Sequence, residues 1–307
     1  MKIITAGVTT RSRRSASAAL LYGFALLAAL LATAQEPRAQ DKSFLWKVQS
    51  DKNAIYILGS IHYLKKESFP LKKTIENVFS AANKIVLEVD LKTATPEKAQ
   101  EITLEKGLYR DGTTLQQNID PATYTLVMRR AKELGVDVRA LTSLKPWLVA
   151  MTLTSLKLQK LGFDSNYGVD RYLAERAKTS GKTTSGLETL EFQIGLLDQL
   201  SPRDQEAMLR QGLKDLNLLD HGVAPVVQSW TKGDVGSLEE LLLGGMREYP
   251  EVYQNVIVER NRRWLPQIEK LMAQGENVLL VVGAAHLVGK DGLIESLKAR
   301  GYAVEQM

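Results

Sequence analysis

The chain has 307 residues and no cysteine, so disulfides and metal sites built on thiolates are excluded. It carries 40 Lys and Arg against 35 Asp and Glu, but four of the basic residues precede Gln35, which leaves a nearly neutral 36 against 35 in the rest. Composition therefore gives no case for nucleic acid or an anionic membrane as a partner.

Residues 1–34 have the pattern of a cleaved secretory signal peptide. Basic residues come first, followed by 14 mostly apolar residues, Ala18–Leu31, and an A-x-A cleavage site at Ala32–Ala34. That apolar run is short for a membrane-spanning helix, which takes about 20 residues. The Arg13-Arg14 pair suggests twin-arginine export, but the residues after it do not fit that signal, so ordinary secretion is favoured. The sequence predicts an exported protein, periplasmic or secreted, with no stable membrane span after cleavage.

The first elements of the mature chain are predicted to be strands. Two apolar runs, Phe44–Val48 and Ala54–Leu58, are separated by the polar residues Ser50–Asn53, which is typical of a hairpin. Apolar residues then recur at helical spacing over Leu71–Ala82, before a β-branched run at Lys84–Val89. Strand, helix and strand with short links predict a βαβ unit.

The middle of the chain is predicted to be helical, apart from a further possible strand at Val136–Ala140. Asp120 and Pro121 favour a helix start and Gly135 a helix end. The predicted helices are Pro121–Leu134, Pro146–Leu161, Val169–Lys178, Leu190–Leu200, Pro202–Leu213 and Glu251–Ala273. At the end of the chain, a buried parallel strand is predicted at Asn277–Gly283, a helix at about 290–300 and a last strand at Tyr302–Val304.

These elements predict an α/β fold with a central, mainly parallel or mixed sheet built from both chain ends. A large helical insert is expected at about residues 141–275. After the signal peptide and a leader linker at 35–42, residues 43–307 are predicted to form a single domain, because the terminal strands need each other to complete one sheet.

One motif, GxxH, occurs twice and carries the chemistry. Gly59 to His62 and Gly283 to His286 each follow a predicted parallel strand, and Glu88 lies at the end of another. The carboxyl ends of such strands share one rim, so these side chains are expected to meet there. Two imidazoles and a carboxylate suit a catalytic divalent metal that keeps one position open for water. Taken singly, each of these residues is more often an ordinary polar side chain.

Between Trp46 and Val304 the chain resembles the TraB/GumN family, also called TraB/PrgY/GumN, which is related to the TIKI metalloproteases. The segments that carry the resemblance are Ile57–His62, Leu87–Glu88, Gly168–Asp170, Gly186–Glu188, Glu259–Asn261 and Val282–Gly289.

The resemblance implies that His62, Glu88 and His286 are metal ligands, with Gly59 and Gly283 shaping the loops around them. Mn²⁺ or Co²⁺ fits the resemblance, while Zn²⁺ also suits these ligands. The catalytic residues are expected among Glu88, His62, Arg260 and Glu259, with Asp170 and Glu188 as second-tier candidates. Without the resemblance, Glu259 and Arg260 would be interpreted as charged residues of an exposed helix surface, and Asp170 and Glu188 as acids near helix starts. The third histidine, His221, is expected in a surface loop.

Two classes of function follow. The first is an exported metal-dependent hydrolase of the TraB/GumN type, most simply a peptidase acting on a peptide or another small polar substrate. Glu88 is then either a metal ligand or the general base. If Glu88 is a ligand, Asp170 or Glu259 must accept the proton of the attacking water. A related alternative is hydrolysis without a metal, in which His62 is the general base. The second is a non-catalytic binding or accessory protein for a peptide, a haem-like group or an exopolysaccharide.

Overall fold

The computed structural model describes residues 42–50 and 52–307. The predicted signal peptide and most of the leader linker lie outside the described residues. In the described part, none of the helices has both the length and the apolar composition needed to cross a membrane. The described strands are β1 (Leu45–Gln49), β2 (Ala54–Ser60), β3 (Lys84–Val89), β4 (Thr183–Glu188), β5 (Val278–Gly283) and β6 (Ala303–Gln306).

The strands form one mixed sheet in the order β4-β3-β5-β2-β1-β6. The four strands from β4 to β2 are parallel, and β1 is antiparallel to both of its neighbours. The predicted hairpin is the β1–β2 pair, in which Leu45 lies opposite Leu58. The predicted α/β fold is confirmed, although β5 lies between the two strands of the expected βαβ unit.

Twelve α-helices pack around and beside this sheet in the described part of the chain. They are α1 (Lys73–Ala81), α2 (Pro96–Gly107), α3 (Leu115–Asn118), α4 (Pro121–Leu134), α5 (Pro146–Lys160), α6 (Val169–Thr179), α7 (Leu190–Asp198), α8 (Pro202–Lys232), α9 (Val235–Leu243), α10 (Pro250–Tyr253), α11 (Glu259–Gln274) and α12 (Leu293–Ala299). Helix α4 begins and ends as its sequence predicts: Asp120 accepts a hydrogen bond from the backbone N–H of Ala122 at 2.8 Å, and Gly135 closes the helix at φ 70°.

The structure departs from the sequence predictions in several details. The helical insert also contains β4, which was not predicted. The segment expected as a strand at Val136–Ala140 instead turns into a 3-10 helix at Val138–Leu141, because the Asp137 side chain accepts the N–H of Arg139 and caps it. Helix α8 runs on to Lys232, so His221 lies in a helix and not in a loop.

Buried contacts hold the strand ends in place. All six residues of β5 are buried, as expected for a strand covered on both faces. Against the end of β2, the indole N–H of Trp230 donates to the Gly59 carbonyl oxygen at 2.7 Å, which ties α8 to the first GxxH segment. A second apolar cluster, which includes Val127, Val149 and Leu209, joins α4, α5 and α8.

Candidate functional site

Four parallel strands deliver polar side chains to one rim of the sheet. His62 follows β2, Glu88 lies near the end of β3, Glu188 ends β4, and His286 closes the 3-10 turn Ala284–His286 after β5. Helix α11 adds Arg260 from the neighbouring layer. The rim therefore collects groups that are far apart in sequence, as expected at the carboxyl ends of parallel strands.

Glu88 is held at both carboxylate oxygens. Its Oε1 accepts the backbone N–H of Gly283 at 2.6 Å, and its Oε2 accepts from Gln193 at 2.8 Å and from Arg260 at 2.5 Å. Burial by itself raises the pKa of Glu88, but Arg260, the two histidines and the Gly283 N–H outweigh it and lower the pKa to about 2. Glu88 is thus ionised at any physiological pH.

Arg260 lies at the centre of the cluster, and only 5% of the residue is exposed. Its Nη2 donates to Glu188 Oε1 at 2.7 Å, and its Nη1 donates to the Val256 carbonyl oxygen at 3.2 Å. The Trp264 indole lies 4.7 Å from the guanidinium and donates to the other Glu188 oxygen at 3.0 Å. Burial would lower the pKa of Arg260, but Glu88 and Glu188 raise it. Arg260 is a fixed positive charge between two carboxylates.

His286 is buried and neutral. Its Nδ1 lies 2.8 Å from Asn261 Oδ1, and its Nε2 lies 2.9 Å from Arg260 Nη1. A guanidinium can only donate, so Nε2 accepts and the ring proton is assigned to Nδ1. Burial lowers the pKa of His286 to about 3; Arg260 and His62 lower it as well, whereas Glu88 opposes them.

His62 is the accessible member of the cluster, with 54% of its side chain exposed. Its Nδ1 donates to Asp170 Oδ1 at 3.0 Å. Partial desolvation would lower the pKa of His62, but Asp170, followed by Glu88, raises it to about 9. Water at the exposed ring screens these charges, so this rise is worth less than in a buried pair.

Two glycines allow the close approach of these groups. A Cβ on Gly283 would lie 3.1 Å from Glu88 Oε1, 3.3 Å from His62 Nε2 and 3.6 Å from His286 Cδ2, so glycine lets all three side chains come close to the backbone here. A Cβ on Gly168 would lie 2.6 Å from the His62 carbonyl oxygen, so glycine is needed where α6 begins beside the His62 loop. Gly59 has another role, because its Cα faces the Phe44 ring in the core.

The family of the chain follows from a comparison that covers most of its length. The model of the TraB/PrgY/gumN family matches residues 44–306. The chain belongs to this family. The resemblance inferred from the sequence segments is therefore confirmed, and several of those segments line the rim just described.

Relatives of this TraB/PrgY/gumN chain come from bacteria and animals. The uncharacterized protein YbaP of Escherichia coli (strain K12) is 25% identical over 243 residues, covering 79% of this chain and 87% of that protein. Proteins named metalloprotease TIKI homolog, from Amphimedon queenslandica and Nematostella vectensis, are 21% and 22% identical; the matches cover 94% and 88% of this chain and 67% and 68% of theirs. No solved structure matches the chain significantly.

Most of the residues predicted for the TraB/PrgY/gumN site lie together. The structure brings His62, Glu88 and His286 to one place, and adds Arg260, Asp170 and Glu188 to them. Asp170 is in the first turn of α6, as expected, and it also contacts His62. Glu188, expected near the start of a helix, ends β4 just before α7 begins at Leu190.

Glu259 is the exception among the predicted catalytic residues. Its carboxylate accepts from Gln254 at 2.8 Å and from Arg262 at 2.7 Å, and 36% of its side chain is exposed. None of these partners belongs to the cluster. Because Glu259 and Arg260 are adjacent on a helix, their side chains leave it in different directions, and only Arg260 faces the sheet.

Sequence reasoning missed three residues of the site. Asn261 orients His286, Gln193 holds Glu88, and Trp264 holds Glu188. Asn261 had a signal, since it belongs to the family segment Glu259–Asn261. Trp264 and Gln193 belong to none of the motifs that the sequence singles out.

The cluster has the donor types of a metal site but not its arrangement. Two imidazoles and a carboxylate are common ligands of divalent metals. However, the Arg260 guanidinium donates to the Nε2 of His286 and to a carboxylate oxygen of Glu88, so a cation already lies where these ligands converge. Within residues 42–50 and 52–307, no three His, Asp or Glu side chains are placed so that they could hold a metal ion. The present arrangement does not fit a metal at all three predicted ligands.

Proposed function

We propose that this chain is an exported hydrolase that cleaves amide bonds in peptides or similar small polar substrates. The observation that carries the proposal is the arrangement at Gly283, where an exposed imidazole, His62, and an ionised carboxylate, Glu88, both lie close to a backbone position that has no side chain. Export rests on the signal-peptide pattern of residues 1–34. The relatives named metalloproteases support a peptidase as the hydrolase class.

His62 is the proposed general base. Asp170 accepts the Nδ1 proton, so the lone pair of the neutral ring is on Nε2, which would lie 3.3 Å from a Cβ on Gly283. As water attacks the substrate carbonyl carbon, its proton passes to His62 Nε2 and a carbon–oxygen bond forms. When the carbon–nitrogen bond breaks, the same proton passes to the leaving nitrogen.

Glu88 and the groups behind it support this proton transfer electrostatically. The negative charge of Glu88 makes the proton on His62 more stable, and its Oε1 lies at the edge of the space where the attacking water must be. Arg260 and Gln193 fix the other oxygen and keep the carboxylate in one orientation. His286 is 4% exposed, so its proposed part is to position Arg260 and not to contact the substrate.

Two relatives are named metalloproteases, which suggests a divalent metal (Mn²⁺, Co²⁺ or Zn²⁺) as a cofactor of this chain. His62, Glu88 and His286 would have to supply its ligands. Because the Arg260 guanidinium is hydrogen-bonded to both His286 and Glu88, the proposed reaction uses no metal.

The test is hydrolysis of a peptide library and of simple amides by the chain that begins at Gln35. We expect cleavage by the wild-type protein and a loss of about two orders of magnitude or more in His62→Gln. A His62→Gln protein as active as the wild type would contradict the proposed base. If neither protein cleaves any substrate but both bind peptides, the chain is a binding protein and the proposal is wrong.

A further inference from the structure

The Arg260 guanidinium has the surroundings of a bound metal ion. It contacts one imidazole nitrogen, His286 Nε2, at 2.9 Å and the carboxylates Glu88 and Glu188, whose nearest oxygens lie at 2.5 and 2.7 Å. These are the atoms that a divalent cation selects in proteins. In this chain the guanidinium group of Arg260, a positive charge that belongs to the protein itself, lies at that position.

His286 has no lone pair left for a metal. Its Nε2 lone pair accepts the Arg260 N–H, and its Nδ1 carries the proton that Asn261 Oδ1 accepts. An imidazole can ligate a metal only through a nitrogen lone pair. Ligation by His286 therefore requires Arg260 to move away first.

Arg260 is held in its position by contacts on every side. Its Nε and Nη2 both donate to Glu188, its Nη1 donates to the Val256 carbonyl oxygen, and Trp264 lies against the guanidinium. Displacing it would leave two carboxylates without their positive partner in a place that water scarcely reaches. A metal entering beside it would meet a like charge at short range with little screening.

We infer that Arg260 takes the place of a divalent metal, so that this centre holds none and hydrolyses without one. The second half of the statement rests on the proposed function; the first half concerns metal binding alone. Removing Arg260 together with one carboxylate should therefore free the Nε2 lone pair of His286. This nitrogen lies 3.9 Å from Glu88 Oε1, so it could then bind a metal together with His62 and Glu88.

The experiment is equilibrium dialysis of the metal-free protein against Mn²⁺, Co²⁺ or Zn²⁺, followed by elemental analysis. The variant Arg260→Met with Glu188→Gln removes one positive and one negative charge from the cluster. The matched control, Arg262→Met with Glu259→Gln, removes the exposed ion pair on the same helix, whose atoms are 2.7 Å apart. Circular dichroism checks that each protein is folded.

We expect the wild type and the control to retain no stoichiometric metal, and the cluster variant to retain about one ion per chain. A wild type that holds about one ion per chain, with His62 and His286 both required, overturns the inference. So does a folded cluster variant that binds no more metal than the control. If the cluster variant does not fold, the wild-type measurement decides by itself.

Activity separates this inference from the proposed function. Hydrolysis by wild type that survives exhaustive chelation supports both. Hydrolysis that chelation abolishes and added metal restores overturns the inference and leaves the hydrolase intact. Absence of hydrolysis under every condition contradicts the proposed function, while the dialysis result still decides whether Arg260 replaces a metal.

Discussion

The His62 imidazole and the Asp170 carboxylate are joined by a hydrogen bond of 3.0 Å across 108 positions of sequence. The backbone enforces this pairing, because the Val169 N–H donates to the Ile61 carbonyl oxygen at 3.0 Å and sets the start of α6 beside the His62 loop. Asp170 is therefore placed before any substrate arrives. Such preorganisation is what a general base needs.

Asp170→Asn should move the pH profile of hydrolysis toward acid. A general base acts in its deprotonated form, so the wild-type rate should rise with pH up to the pKa of His62, which is raised from 6.5 to about 9. Removing the negative charge of Asp170 lowers the pKa of His62. The rising limb of the pH profile should therefore move to lower pH, and the rate on the plateau should fall. The pH dependence of kcat/KM and the NMR titration of the His62 ring measure both effects. An unmoved limb would show that Asp170 does not act on His62.

Gly283→Ala should reduce turnover while leaving the fold stable. The added methyl group would lie 3.1 Å from Glu88 Oε1 and 3.3 Å from His62 Nε2, in the space proposed for water and substrate. We expect a loss of about tenfold or more in kcat/KM. Gly236→Ala is the matched control, since its nearest neighbour would be 3.9 Å away. Equal activity of the two variants would mean that the reaction takes place elsewhere.

Glu88→Gln should abolish most activity without unfolding the protein. Arg260 keeps one carboxylate partner, Glu188, so no buried charge is left unpaired. We expect a rate loss of about two orders of magnitude. Glu259→Gln, the same change on an exposed side chain of the adjacent helix, should have little effect on rate. Comparing the two by steady-state kinetics and thermal melting separates a role in the reaction from a role in stability.

His286 should make the folded protein sensitive to acid. Its pKa is lowered from 6.5 to about 3 in the folded chain, so between these values the unfolded chain binds a proton that the folded chain does not. The free energy of unfolding should then fall by about 1.4 kcal/mol per pH unit as the pH drops below 6.5. Glu88 adds to the loss only below its ordinary pKa of 4.5. Urea unfolding at several pH values should show a flatter dependence in His286→Gln between pH 6.5 and 4.5.

The main features of the site could be predicted because strand ends share an edge. His62, Glu88 and His286 each follow or end a recognisable apolar run, and the sheet brings such positions together whatever the intervening chain does. The Arg260 contacts could not be predicted in this way. They depend on how α11 packs against the sheet, and a helix shows its apolar face in the sequence but not the partners of its polar side chains.

The missed elements have physical causes of their own. Strand β4 begins Thr183-Thr184-Ser185-Gly186 and lies at the edge of the sheet, so it lacks the apolar run that marks a buried strand. Helix α8 contains Pro225, which removes one backbone hydrogen bond and normally argues against a helix. Buried side chains on both sides of the proline, including Leu213 and Trp230, pack the helix into the core and offset that loss.

The position of β5 has a consequence for how the chain folds. Strands β2 and β3 come early in the sequence, but each pairs with β5 and neither pairs with the other. Neither strand can complete its pairing until β5 has been synthesised, which happens after almost all of the helices. Contacts between residues so far apart in sequence form slowly. A ribosome-bound chain ending before β5 would expose two unsatisfied strand edges, which makes it a substrate for chaperones and a hazard for aggregation.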